Sequence, residues 1–124
     1  MIHELSDDCL FVGLTDYATL GKELRHINDV LESNPDHNVI MDFSKVQMLT
    51  SSNLSNLMIL HNLLQNSGHQ LILCNVSFQV KCEFTVCGLR EVFHFAEDKF
   101  QAMAQLGQSV NKKDLELPAN KSQK

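Results

Sequence analysis

Tryptophan is absent from this chain, tyrosine occurs once, and proline only twice in 124 residues. The scarcity of proline and the five glycines leave room for long regular elements and exclude a collagen-like or low-complexity chain. There is no excess of basic residues: ten Lys and Arg stand against fifteen Asp and Glu, a net charge of −5. No basic patch is then available to neutralise phosphates, and a nucleic-acid partner is not expected. No apolar run approaches the ~18 residues of a membrane span, so direct membrane insertion is not expected either. Met1-Ile2-His3-Glu4 lacks the positive start and apolar core of a signal peptide, and a cytoplasmic location is expected.

Motifs of catalysis and metal binding are missing as well. There is no Gly-x-Ser-x-Gly elbow, no Gly-rich phosphate loop and no HxxxH or HExxH spacing among the six histidines. The four cysteines, Cys9, Cys74, Cys82 and Cys87, form no CxxC pair, and apolar residues lie close to each in the sequence. They read as small buried hydrophobes of a reducing compartment. No metal, no cofactor and no enzymatic activity are expected. Asp16 and Asp42 each follow a strand and precede a turn, where a carboxylate ordinarily serves the turn itself.

What is present is organised around Val39 to Leu64. Val39–Phe43 is a short apolar run rich in β-branched residues, as in a buried strand. Leu54, Leu57, Met58, His61 and Leu64 recur at helical spacing and predict one apolar stripe. Between the two lie Thr50, Ser51, Ser52 and Asn53, all good N-cap residues. One cap is sufficient, so the remaining polar side chains are free for a phosphate or for a partner.

The flanking chain alternates in the same way. Cys9–Val12 predicts a strand after an Asp7-Asp8 turn, and Leu20, Leu24, Ile27 and Leu31 predict a helix over Tyr17–Glu32. A strand is expected over Gln70–Val76, with Leu71–Cys74 as its buried run. Ser77–Gly88 fits both periods, with Ser77 and Gly88 favouring a short helix. Val92–Phe95 predicts a last strand, and a last helix follows Glu97-Asp98 with Phe100, Met103, Ala104 and Leu106 as its apolar face. From Gln108 the chain turns polar and Lys-rich, and a disordered tail is expected over 108–124. Alternating strands and helices predict one α/β domain over 1–107, with a small, mixed, mostly parallel sheet and helices mainly on one face. Val39–Phe43 is expected between the strands at Leu10–Val12 and Leu71–Cys74.

Three segments together resemble the STAS domain, the fold of bacterial anti-sigma factor antagonists. Asp42-Phe43-Ser44-x-Val46-x-x-Leu49-Thr50-Ser51-Ser52-Asn53-Leu54 is similar to the family's Asp-Leu-Ser-x-Val-x-x-Met-Asp-Ser-Ser-Gly-Leu. Gly68-x-x-Leu71-x-Leu73 with Ser77-x-x-Val80 resembles its Gly-Gly-x-Leu-x-Leu and Ser-Pro-x-Val segment. Phe84-x-x-x-Gly88-Leu89 resembles the Phe-x-x-x-Gly-Leu before its last strand, and Gly13-Leu14-Thr15-Asp16 its early Gly-x-Leu-Asp turn. The resemblance implies a binding module for an anti-sigma factor that is itself a serine kinase, in a partner-switching pathway that regulates transcription. It implies phosphorylation at Ser51, or less readily at Ser52, and a partner surface formed by Asp16, Thr50, Ser51, Ser52 and Asn53. Thr50 and Asn53 depart from the family's Asp and Gly. The resemblance also allows a second role, as a non-phosphorylated STAS subunit or scaffold of a transport or signalling complex.

Overall fold

The computed structural model describes residues 2–15 and 17–107. Asp16, expected at the partner surface, and the expected tail over 108–124 lie outside the described residues. The elements run β1 (Ile2–Ser6), β2 (Cys9–Gly13), α1 (Tyr17–Ser33), β3 (Asn38–Asp42), α2 (Ser51–Asn66), β4 (Leu71–Cys74), α3 (Phe78–Val86), β5 (His94–Ala96) and α4 (Lys99–Leu106).

The five strands form one sheet in sequential order, β1-β2-β3-β4-β5. β1 and β2 are an antiparallel hairpin, and every later pairing is parallel. β3 therefore lies between β2 and β4, as its apolar run predicts. A sheet that grows in one direction through right-handed crossovers must place each connecting helix on the same face. That is the reason α1, α2 and α3 share one face. Their buried side chains, among them Leu24, Leu57, Leu64 and Phe84, meet Val12, Met41 and Leu73 from the sheet. α4 follows the last strand with no further strand to reach, and it folds back over the opposite face. There Ala102 packs with Cys9, Ile40, Ile72 and Cys74.

Several boundaries and faces differ from the expectations. In α2 the fully inward positions are Leu57, Leu60 and Leu64, whereas Met58 and His61 are half-buried. The helix packs against both the sheet and α1, so its apolar stripe is wider than one row. In α4 the buried residue is Ala102, the expected Met103 and Leu106 pack partly buried against the same cluster, and Phe100 is 74% exposed. The Asp98 side chain caps this helix by accepting from Gln101 N at 2.9 Å, and that start fixes which side turns inward. The expected last strand begins two residues later, because Leu89 to Val92 form a turn closed by Val92 N donating to Leu89 O at 3.0 Å. Phe93 is buried there by side-chain packing on Phe84, ring centroids 5.3 Å apart. Ser77–Gly88 resolves as a helix: Ser77 caps it by accepting from Val80 N at 3.1 Å. Of the four cysteines only Cys9 and Cys74 are buried; Cys82 is half-buried and Cys87 is exposed.

Candidate functional site

Asp42, the last residue of β3, gathers the C-terminal ends of the parallel strands. Its Oδ1 accepts from Ser44 N at 3.0 Å and from Asn75 Nδ2 at 2.9 Å, and its Oδ2 accepts from Ser44 Oγ at 3.0 Å. Asn75 follows β4 with φ of 57°, a left-handed conformation that Asn tolerates better than most residues. Asp42 is thus a turn carboxylate, and the chain leaves β3 along a fixed path. Val46, 3% exposed, anchors the loop in the core.

The loop ends at Thr50, which is the N-cap of α2. Its side chain accepts from Asn53 N at 3.0 Å. Threonine here performs the capping for which an aspartate is equally suited, but without the charge. Ser51 and Ser52 are exposed, and neither hydroxyl has a hydrogen bond among the described residues. Their backbone N–H groups are among those that a helix cannot satisfy internally.

Asn53 is a correction to the expected surface. It is 4% exposed, and its Oδ1 lies 3.7 Å from where a Cβ on Gly21 would sit. Position 53 is three residues into the helix and turns toward α1, so its side chain packs between the helices. Of the expected site residues, the structure thus leaves Ser51 and Ser52 at the surface, with half-buried Thr50 holding the turn.

Beside this turn lies a cleft of about 450 Å³ between the start of α2 and the outer side of α3. Leu49, Ser51 and Leu54 line one wall, and Gln79, Cys82, Glu83, Val86 and Cys87 the other. Val86 is 86% exposed, and Met48, in the loop before α2, is 46% exposed. Glu83 Oε1 accepts from Leu49 N at 2.9 Å and ties the two walls together. Sequence reasoning missed this second wall. The signal was there once Ser77–Gly88 is read as a helix: Gln79, Cys82, Glu83 and Val86 recur at i, i+3, i+4 and i+7, a face distinct from buried Val80 and Phe84.

Among the described residues, no three His, Cys, Asp or Glu side chains gather as metal ligands. No helix among them is long and apolar enough to cross a membrane. His61 packs on Phe93 with ring centroids 5.4 Å apart, and burial, aided by the nearby His94, holds its pKa below the ordinary 6.5.

A family model for the STAS domain matches residues 11–102. Solved structures share the fold. A Ser-to-Glu variant of RsbS from Moorella thermoacetica superposes with a TM-score of 0.73 at 16% identity, covering 90% of this chain and 97% of that one. The Bacillus cell fate determinant SpoIIAA, in its phosphorylated form, gives 0.64 at 16% identity over 85% of this chain and 96% of that one. A sulfate transporter family protein from Wolinella succinogenes gives 0.65 at 16% identity over 85% and 88%. At such identities the likeness is one of fold.

Proposed function

This chain belongs to the STAS domain family, and we propose that it is a regulatory binding module of the anti-sigma factor antagonist kind, without enzymatic activity. Its docking surface is the first turn of α2 with the cleft beside it, and charge at Ser51 turns binding off. Its partner is a protein of the anti-sigma factor or serine kinase type, met in the cytoplasm.

One observation carries this reading. Thr50 caps α2, so the Ser51 hydroxyl is exposed, without a hydrogen bond among the described residues, and on the rim of an apolar cleft. A serine spent on the cap would have no such freedom. A phosphate there brings about −1.5 to −2 charge to a helix N-terminus, where it is tolerated within the folded chain. In a dry interface the same charge must be desolvated. Phosphorylation at Ser51, or secondarily Ser52, therefore breaks binding without unfolding the domain. The phosphorylated form of SpoIIAA has the same fold, which supports this reading.

A second reading is a permanent, non-phosphorylated subunit of a transport or signalling complex. The sulfate transporter family protein shares the fold to the same degree as SpoIIAA. Thr50 also removes a charge from the turn relative to the family pattern.

Calorimetry against the chain's own serine kinase partner, beside thermal melts, separates the readings. Ser51→Asp melts like the parent and binds at least ~10-fold more weakly, about 1.4 kcal/mol. Ser51→Ala binds normally and no longer accepts phosphate from the kinase. Parent-like affinity in Ser51→Asp would favour the permanent subunit.

A further inference from the structure

Among the described residues β5 is an edge strand, paired with β4 on one side. Successive residues of a strand present their N–H and C=O groups to opposite sides, so the Phe95 carbonyl and the Glu97 amide share a side, and Ala96 between them faces the other. The partners of this pair are side chains of α4 rather than a strand. Gln105 Nε2 donates to Phe95 O at 3.0 Å, and Gln101 Oε1 accepts from Glu97 N at 2.6 Å. The two glutamines are four residues apart on the helix, about 6 Å along its axis. The two backbone groups are two residues apart on the strand, about 6.6 Å. The later glutamine meets the earlier strand residue, so helix and strand run antiparallel and the two spacings stay in step. One acceptor and one donor at this spacing are what an added strand would present to the same pair. Both glutamines stand at the surface, beside an open cavity of about 470 Å³ that runs along Phe93–Glu97.

We propose that Gln101 and Gln105 are a strap that closes the sheet at β5 and keeps this edge from pairing with a second copy of the chain. Without the strap the edge is self-complementary. A two-fold axis normal to the sheet, passing between Ala96 and Ala96 of the second copy, sets the two β5 strands antiparallel. Each Glu97 N–H then reaches Phe95 O of the other copy, which makes two hydrogen bonds from the groups that the glutamines hold. The side chains brought opposite each other are Ala96 with Ala96 and Phe95 with Glu97, so no like charges face each other. An uncovered edge of this kind is a template for association, and two side chains of a helix already needed over the sheet remove it. The opposite edge is handled differently: a register shift between Glu4 and Ser6 interrupts the ladder of β1.

Sedimentation equilibrium of the full chain, beside amide hydrogen exchange read at Glu97, tests the proposal. Alanine is the better helix former at both positions, so Gln101→Ala/Gln105→Ala keeps α4, which thermal melts check. The double variant self-associates at least about tenfold more tightly than the parent. Its Glu97 amide exchanges faster than the parent's in dilute solution, and slows again as concentration rises and the edges pair. Gln101→Glu/Gln105→Lys keeps an acceptor at 101 and a donor at 105, and it behaves as the parent does. Three results would each overturn the proposal: a double alanine variant that associates no more than the parent, a Glu97 amide whose exchange in dilute solution is unchanged, or association that leaves Glu97 exchange independent of concentration. A Glu/Lys variant that associates as tightly as the alanine variant would overturn it too, since the hydrogen bonds would then not be what closes the edge.

Discussion

Glu83 Oε1 accepts the amide hydrogen of Leu49 at 2.9 Å, joining residues 34 positions apart. The bond fixes the loop before Thr50 to α3 and so sets the width of the cleft beside Ser51. Removing the acceptor leaves the Leu49 N–H to water or to nothing. A hydrogen bond to a charged acceptor contributes about 1.5–3 kcal/mol when well buried, and Glu83 is half-buried, so Glu83→Ala should cost about 1 kcal/mol. Glu83→Gln keeps an acceptor and should recover most of it. Urea midpoints of the three proteins measure this; an unchanged midpoint in Glu83→Ala would mean that Val46 alone anchors the loop.

Leu57 is 0% exposed at the centre of α2, between the sheet and the neighbouring helices. Leu57→Ala is expected to cost about 2–5 kcal/mol through lost transfer energy and the cavity left behind. Met58, the next residue and only half-buried, should cost clearly less when cut to Ala. Comparable losses at the two positions would place the inward face of α2 wrongly.

That pair of leucine and methionine also marks how far the sequence can be read. The strand–helix alternation is legible because every element but α3 has a single dominant period, and the central place of Val39–Phe43 follows from its apolar run. Faces are harder. α2 is buried on two sides, so Leu60 belongs to its core while His61 drifts to the edge, and a single stripe cannot show this. Asn53 looks like a surface residue because its type is polar; only the approach of α1 at Gly21 makes it interior. Phe100 looks like core because its type is apolar, yet the cap at Asp98 turns it outward. At the site, the exposed serines are legible as an excess of capping residues. The α3 wall is harder to see, because Ser77–Gly88 satisfies both periods and its outward face emerges only when the end signals at Ser77 and Gly88 are given the decision.

Gly21 lies inside α1, where its flexibility serves no turn. A Cβ built there meets Arg25 Nη1 at 3.5 Å and Asn53 Oδ1 at 3.7 Å, both ordinary contacts. Gly21→Ala should therefore keep the helix–helix spacing and stabilise the fold by about 0.5–1 kcal/mol, through the lower backbone entropy of the unfolded chain. A rise in Tm of a few degrees is expected. A fall would show that Asn53 requires the extra room.

His61 links stability to pH. Burial first, and the charge on His94 second, lower its pKa from 6.5 in the folded state. The unfolded chain then binds the proton more readily than the folded one as pH falls. The stabilising contribution of the neutral ring is complete above 6.5 and is lost as pH falls from there through the folded value. Tm should decrease on going from about pH 7.5 to about pH 5.5, and His61→Gln, which cannot titrate, should flatten that slope. An unchanged slope in His61→Gln would show that His61 does not carry the effect.

The thiols divide by reactivity along the same line as the two faces of the fold. Burial and the charge on Asp8 push Cys9 up to about 11, and burial with the charges of Asp42 and Asp98 pushes Cys74 up to about 12. Both sit under α4 with Ala102, where thiolate is scarce and a reagent has no approach. Cys87 is exposed and Cys82 half-buried, and both line the cleft beside Ser51. A thiol reagent added to the native protein should therefore label Cys87 first and Cys82 more slowly. Cys9 and Cys74 should react only through opening of the sheet, at rates that urea accelerates. Mass spectrometry of the peptides after short exposures gives the order. A bulky label on Cys87 occupies the rim of the cleft while touching no core residue, so it should leave the melting curve in place and weaken partner binding as Ser51→Asp does. Labelled protein that binds as the parent does would remove the α3 wall from the docking surface and confine it to the first turn of α2.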